Sequence, residues 1–141
     1  MRISTPWSVG VSTRGATIQN IWVDHNVHEN GLKGIRIHVK FNVNNMKGKT
    51  GQVAAYFYFQ EGKPLKDLDR NYRSSDGQVS VSEDFTPGYQ GTLYNDFTMF
   101  IPYDQLHMNN GEYDLKFEVL IWSHNDHKLA KSDWITFQFR K

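Results

Sequence analysis

Strict alternation of apolar and polar residues is the feature that most constrains this chain. From residue 35 to residue 44, apolar side chains occupy every second position, beginning with Ile35, and polar side chains occupy the positions between them. This two-residue period is typical of a β-strand that has one face in a core and the other in solvent. Residues 112–122 alternate in the same way, so both stretches are predicted to be strands.

A third alternating stretch, residues 52–60, follows the first after a seven-residue run with two glycines, Gly48 and Gly51. Two strands joined by such a turn-forming run usually pair as a β-hairpin. We therefore predict a two-stranded hairpin over residues 34–60. Its inward face would carry the apolar side chains Ile35, Ile37, Val39, Phe41, Val43, Val53, Ala55, Phe57 and Phe59.

The rest of the chain shows the same pattern in shorter pieces. Further strands are predicted at residues 7–12, 16–24, 78–82, 96–101 and 133–140, with loops at 25–31, 65–77 and 83–95 and a turn at 102–107. The loop at 25–31 ends in Asn30-Gly31, a strong turn signal. No stretch has the period of a helix. About seven or eight short strands without intervening helices indicate an all-β, antiparallel two-sheet β-sandwich, immunoglobulin-like or jelly-roll-like.

The length and charge of the chain set limits on its organisation. With 141 residues, it is expected to form one β-sandwich domain, residues 16–141, after an N-terminal segment, residues 1–15, that holds one candidate edge strand. The sequence has no pattern of a signal peptide or membrane span, which slightly favours the cytoplasm. It is compatible with a complete short protein or with a piece of a longer one.

Charged residues and cysteines exclude several classes of partner and chemistry. Sixteen basic and fifteen acidic residues leave a net charge of +1, so neither nucleic acid binding nor membrane insertion is expected. The absence of cysteine excludes disulfides, thiolate metal sites and cysteine nucleophiles. The chain also lacks the Gly-x-Ser-x-Gly, phosphate-loop and His-Glu-x-x-His motifs. We expect a protein that is not an enzyme and that needs no cofactor.

The outward face of the predicted hairpin is the first candidate binding site. If the hairpin closes without a slip, His38 lies opposite Tyr58 and Lys40 lies opposite Tyr56. Together with Arg36, these side chains would form a strip that stacks on sugars or bases. The alternative is ordinary sheet surface, because Tyr favours strands and the stems of Lys and Arg cover apolar surface.

Four histidines form the second candidate site. His25 and His28 stand three residues apart in one predicted loop, and His124 and His127 have the same spacing in another. If the two loops met at one end of the sandwich, the four imidazoles could hold a metal ion. Neither pair belongs to a known metal-binding signature, so polar loop residues are the alternative.

Several segments of the chain resemble a family of uncharacterised β-sandwich domains, typically from Bacteroides-type bacteria. The resemblance rests on GIRIHVKF at 34–41, NMKG at 45–48, AYFY at 55–58, GKPLKD at 62–67, DGQVS at 76–80 and FIPYDQLH at 100–107. Such domains occur alone or appended to zinc-ribbon or helical-repeat segments. The resemblance implies an accessory or interaction module and transfers no catalytic residue.

Two hypotheses about function follow. The first is a non-catalytic interaction module of a bacterial protein that binds another protein or a neighbouring domain, by strand addition or through an aromatic patch. The second is a carbohydrate- or metal-binding module, in which the four histidines hold a cation or four aromatic side chains form a stacking platform. Those side chains are Tyr56, Tyr58, Trp122 and Trp134.

Overall fold

The computed structural model describes residues 4–6, 15–67, 72–74 and 76–141, the first three in their backbone alone. Nine strands form in this part of the chain: β1 Ser4–Pro6, β2 Gly15–Glu29, β3 Leu32–Asn44, β4 Gly51–Phe59, β5 Ser80–Phe85, β6 Gly91–Pro102, β7 Glu112–Trp122, β8 Lys128–Lys131 and β9 Ile135–Arg140.

The strands form two antiparallel sheets that pack face to face. The first sheet has the order β1-β6-β3-β2, and the second has the order β5-β4-β7, with β8 and β9 both paired to the remaining edge of β7. One cluster of apolar side chains fills the space between the sheets. The predicted fold class, an all-β two-sheet sandwich, is confirmed.

The alternating stretches of the sequence provide the core. The inward residues of β3, including Ile37 and Phe41, are fully buried, and so are Phe57 of β4 and Phe117 of β7. Aromatic rings connect the layers: the Phe41 ring centroid lies 5.3 Å from that of Phe85, which belongs to the other sheet. The alternation therefore identified the inward face of these strands correctly.

The predicted hairpin over residues 34–60 is wrong in its pairing. β3 pairs with β2 and β6, whereas β4 pairs with β5 and β7, so the two strands belong to different sheets. Each strand is a central strand that has both edges occupied by other partners. The run between them crosses from one sheet to the other instead of reversing the chain within one sheet.

Local contacts explain why this run does not make a hairpin turn. The Met46 side chain is fully buried, which draws the run over the end of the core. The backbone N–H groups of Asn45 and Gly48 donate to the carbonyl oxygens of Gln90 and Pro87, at 2.6 and 2.9 Å. These acceptors lie between β5 and β6, a second connection that crosses between the sheets.

The real hairpin at this place lies one strand earlier. β2 and β3 pair from Gly15↔Asn44 to Glu29↔Leu32, joined by a turn at Asn30 and Gly31. Both turn residues have positive φ, 53° and 80°, as a type I′ hairpin turn requires. The predicted turn is therefore confirmed, but the predicted loop before it is wrong, because β2 continues through residues 25–29.

Other boundaries differ from the sequence prediction at the strand ends. β5 begins at Ser80 and extends to Phe85, and β6 already begins at Gly91, so the predicted connection at 83–95 is much shorter. β8 was not predicted, since its four residues are too short to show a period. The predicted strand at 7–12 lies outside the described residues.

A single 3₁₀ turn, Tyr103–Leu106, follows β6 at the predicted place. Its Leu106 side chain is buried in the core. His107 ends the turn in the left-handed conformation, and its Nε2 atom lies 3.0 Å from Oδ1 of the buried Asp67. None of the described residues belongs to a helix that is long and apolar enough to cross a bilayer.

The face assignment of β3 can be tested by truncating neighbouring residues. Phe41→Ala is expected to lower the free energy of unfolding by about 3–5 kcal/mol, because it leaves a cavity in a fully buried place. Lys40→Ala, on the outward face, is expected to change it by less than about 0.5 kcal/mol. Urea denaturation measures both values, and equal losses would contradict the assignment.

Candidate functional site

The predicted basic and aromatic strip is divided between two surfaces. Arg36, His38 and Lys40 lie on the outer face of the first sheet, and Tyr56 and Tyr58 lie on the outer face of the second. The core of the sandwich separates these two faces. The predicted cross-strand contacts of Tyr56 and Tyr58 with residues of β3 are therefore wrong, because the two strands do not pair.

The four histidines are not brought together either. His28 pairs with Lys33 beside the β2–β3 turn, at the end of the sandwich where β6 finishes. His124 and His127 follow Trp122, which pairs with Gln52 at the opposite end. In the described part of the chain, no three side chains of the types His, Asp, Glu or Cys are placed to share a metal ion. The predicted four-histidine site is not formed.

His38 belongs instead to a group of side chains on the first sheet that we call the His38 clamp: His38, Asp24, Asp96 and Trp22. The Nδ1 atom of His38 lies 2.6 Å from Oδ1 of Asp96, and its Nε2 atom lies 2.8 Å from Oδ2 of Asp24. The Trp22 ring stacks on the imidazole at 5.0 Å with an interplanar angle of 6°. His38 is only 8% exposed, although it points outward.

The geometry of the His38 clamp favours a structural role. Both ring nitrogens of His38 already contact carboxylates, so neither is available to take a proton from a substrate or to bind a metal ion. The partners come from β2 and β6, the two neighbours of β3. The clamp therefore links three adjacent strands through their side chains, in addition to the backbone ladder.

The outer face of the second sheet carries a row of four aromatic side chains. Trp122 donates its indole N–H to the Tyr56 hydroxyl at 3.0 Å. The Tyr58 and Trp134 rings meet edge to face, with centroids 4.9 Å apart. The Lys116 ammonium lies 4.0 Å above the Trp134 ring. The four aromatic residues suggested as a stacking platform therefore lie on this face as two contacting pairs.

A buried carboxylate, Glu118, fixes the middle of this row. Glu118 is 7% exposed, and its Oε2 atom accepts a hydrogen bond from the Tyr58 hydroxyl at 2.9 Å. The Lys131 ammonium lies 3.2 Å from the other carboxylate oxygen and balances its charge. The two contacts hold the carboxylate in place and orient the Tyr58 ring.

The environment of the two tyrosines keeps them protonated. Burial raises the pKa of Tyr56 and of Tyr58 above the usual value, and the negative charges of Glu118 and Asp76 contribute in the same direction. Both hydroxyls therefore stay neutral at physiological pH. They remain able to donate and to accept hydrogen bonds.

A two-lobed depression runs beside this row, and we call it the aromatic groove. One lobe, of about 250 Å³, extends from Tyr58 to Trp122, and the second, of about 440 Å³, extends from Trp122 toward β5. Tyr56, Ser74 and Trp122 line both lobes. The second lobe has a floor of small side chains from β4 and β5: Ala54, Ser80 and Ser82.

A cavity of about 670 Å³ lies at one side of the sandwich, and we call it the edge cleft. Its lining includes residues 136–141, which are consecutive, so the cleft follows the strand β9 along its length. Two aromatic contacts form its floor. The His25 ring lies 6.1 Å from the Phe137 ring, and the Tyr103 ring lies 5.0 Å from the Phe139 ring.

Backbone hydrogen bonding shows which groups of β9 face this cleft. Gly111 and Lys141 exchange two N–H to C=O hydrogen bonds, at 3.0 and 2.9 Å. In an antiparallel ladder such pairs alternate, so Thr136, Gln138 and Arg140 direct their N–H and C=O groups away from β7. Within the described residues, β9 pairs with β7 alone.

Sequence reasoning did not identify the edge cleft or the His38 clamp. In the β2–β3 ladder, Trp22 lies opposite His38, and Asp24 lies opposite Arg36. These positions depend on the register of the two strands. The Asn30-Gly31 turn was a usable signal for that register, because it predicts these two strands as partners. The free edge of β9 depends on the strand order of a whole sheet, for which the sequence holds no local signal.

The chain matches no family model, no curated protein and no solved structure. The resemblance described above is therefore supported only in its general architecture, the all-β two-sheet fold.

The structural role of the His38 clamp predicts a loss of stability when the histidine is removed. His38→Ala is expected to lower the free energy of unfolding by about 1–3 kcal/mol, because it removes two contacts with carboxylates and one ring stack. Asp96→Ala combined with His38→Ala should cost less than the sum of the two single changes. Full additivity in denaturant titrations would show that the contact does not couple the strands.

The shifted tyrosines predict a decrease in stability at alkaline pH. Above the ordinary tyrosine pKa of about 10, the unfolded chain loses its phenolic protons before the folded chain does, so stability falls as pH rises. Tyr58→Phe should reduce this fall. Denaturant titrations between pH of about 9 and about 11 measure it, and an unchanged pH dependence in the variant would contradict the assignment.

Proposed function

We propose that this chain is a non-catalytic interaction module that binds an extended segment of another protein, or of a neighbouring domain, along the free edge of β9. The observation that carries the proposal is the edge cleft, because it exposes a row of outward-facing backbone groups beside an aromatic floor. An added strand obtains affinity from main-chain hydrogen bonds and specificity from pockets for alternate side chains.

The geometry of β9 suits this mode of binding. Its six residues span about 20 Å, a usual length for a strand pair. The backbone groups of Thr136, Gln138 and Arg140 supply donors and acceptors at alternate positions. The inward side chains Phe137 and Phe139 are buried, which anchors the strand while its outer edge accepts a partner.

Charge at the edge cleft indicates the kind of segment that fits. Among the described lining residues, Lys33, Arg140 and Lys141 are basic, whereas Asp104 is acidic. Arg140 forms an ion pair with Glu112 of β7, so Lys33 and Lys141 supply the excess of positive charge. The excess of positive charge favours a segment that carries carboxylates beside its apolar residues. The apolar residues would pack on Tyr103 and on the aromatic side chains of β9.

The resemblance to bacterial accessory domains supports the same role. Such a domain occurs alone or next to other domains, and its strand partner can come from another protein or from the same polypeptide. The His38 clamp is consistent with an absence of catalysis, because both nitrogens of its imidazole are engaged by carboxylates.

A proline substitution tests the proposal at a single hydrogen-bonding position. Gln138→Pro removes an N–H that points toward the cleft and leaves the backbone hydrogen bonds between β9 and β7 in place. The side-chain hydrogen bond from Gln138 to Asp114 of β7 is lost with the side chain. Peptides selected from a random display library on the native protein should bind this variant about tenfold more weakly or worse. Isothermal titration calorimetry measures the difference.

Gln138→Ala is the matched control, because it removes the same side chain but keeps the N–H. Its peptide affinity should remain close to that of the native protein. In hydrogen exchange, bound peptide should protect the amides of Thr136, Gln138 and Arg140. The proposal is wrong if the selection yields no peptide, or if the proline variant binds as tightly as the alanine variant.

A further inference from the structure

We propose that the aromatic groove binds a neutral carbohydrate chain. This site lies on the outer face of the second sheet, formed by β4, β5 and β7, whereas the edge cleft follows the free edge of β9 at the side of the sandwich. The inference goes beyond the proposed function and is independent of it.

The row of rings supplies the apolar part of the site. Tyr56 and Tyr58 are two positions apart on β4, so their side chains leave the same face about 7 Å apart. Trp122 continues the row on one side through its hydrogen bond to Tyr56, and Trp134 continues it on the other side through its contact with Tyr58. Tyr56, Tyr58 and Trp122 line the groove and offer apolar ring surface to the C–H face of a sugar ring. Trp134 stands edge to face with Tyr58 and is covered by Lys116, so it borders the groove without lining it.

The hydrogen-bond network holds these rings before a ligand arrives. The Tyr56 hydroxyl is fixed by Trp122, and the Tyr58 hydroxyl is fixed by the buried Glu118. Rings that are already ordered lose little conformational entropy on binding. The face is therefore better prepared for stacking than exposed aromatic side chains that rotate freely.

Polar groups around the rings match the hydroxyls of a sugar. Serine hydroxyls and two amides line the two lobes, and the hydroxyls of a sugar can both donate hydrogen bonds to them and accept hydrogen bonds from them. The carboxylates of Asp76 and Asp126 add strong acceptors at the rim. The serines and amides of the lining are Ser74, Ser80, Ser82, Gln52 and Gln78.

Charge favours a neutral ligand over an ionic one. The Glu118 carboxylate is balanced by Lys131. The hydrogen bond from Ser74 lowers the pKa of Asp76, and the nearby Arg73 guanidinium adds a smaller effect in the same direction. Among the described lining residues, carboxylates outnumber cations, which disfavours phosphates and nucleic acids. Because two of the three carboxylates have cationic neighbours, a basic peptide gains little from the site.

Space in the groove is sufficient for at least one sugar ring in the larger lobe. The small side chains of Ala54, Ser80 and Ser82 make that lobe deeper. Its volume of about 440 Å³ lies within the usual range for small-ligand sites. The lobes meet at Tyr56 and Trp122, so a chain of sugars can continue from one lobe into the other.

Affinity electrophoresis in gels that contain soluble neutral polysaccharides tests the inference. The probes are xylan, mannan, β-glucan and starch, and an oligosaccharide from any polysaccharide that retards the protein is then titrated by calorimetry. Polygalacturonate and polylysine serve as anionic and cationic comparison ligands. We expect retardation by at least one neutral polysaccharide and by neither charged polymer.

Variants then locate the binding face. Trp122→Ala should weaken oligosaccharide binding about tenfold or more, because it removes a ring at the junction of the lobes. Ser82→Tyr places a large side chain in the lobe from an exposed position of β5 and should block binding without removing any core contact. Tyr89→Ala, an exposed aromatic residue outside the groove, is the matched control and should bind as the native protein does.

The outcomes separate this inference from the proposed function. Gln138→Pro, which changes only the edge of β9, should retain carbohydrate binding. The inference is overturned if no neutral polysaccharide binds, if only a charged polymer binds, or if Ser82→Tyr and Trp122→Ala both bind like the control. Circular dichroism on each variant shows whether a loss of binding accompanies a loss of fold.

Discussion

The packing of the inward side chains between the two sheets is the interaction on which the rest of this structure depends. Phe41 of the first sheet contacts Phe85 of the second, and Phe57 and Phe117 extend the same core along β4 and β7. With this core in place, the outward side chains of the same strands are held at fixed spacing. The His38 clamp and the aromatic groove are the two surfaces that result, one on each side of the core.

Alternation in the sequence predicted which side of a strand faces the core, because that property depends only on the two-residue period. It did not predict which strands are neighbours. β3 and β4 read as a hairpin, yet β3 takes β2 and β6 as partners, and the buried Met46 draws the connecting run across the core. This one error in pairing placed Arg36, His38, Lys40, Tyr56 and Tyr58 in a single strip, whereas the structure places them on two separate faces.

The candidate sites show the same difference: contacts that depend on the face of one strand were predictable, and contacts between distant segments were not. The four aromatic residues of the suggested platform do meet, because Tyr56 and Tyr58 share a face of β4 and β7 pairs with that strand. The four histidines do not meet, since their spacing in the sequence holds no information about which end of the sandwich each pair reaches. His38 contacts Asp24 of β2, which the Asn30-Gly31 turn could have indicated as a neighbour, and Asp96 of β6, which no local pattern connects with it.

The placement of β3 and β4 in different sheets also affects the rate of folding. The chain leaves one sheet at Asn44 and enters the middle of the other at Gly51. β3 must therefore pair with β6, and β4 with β7, and each partner lies about fifty or more residues further along the chain. Only after these distant segments arrive can either sheet close around its central strand. Topologies dominated by such long-range pairing fold in about milliseconds to seconds. During that interval the β2–β3 hairpin, which forms through the short Asn30-Gly31 turn, is the most local piece of the first sheet from which assembly can start.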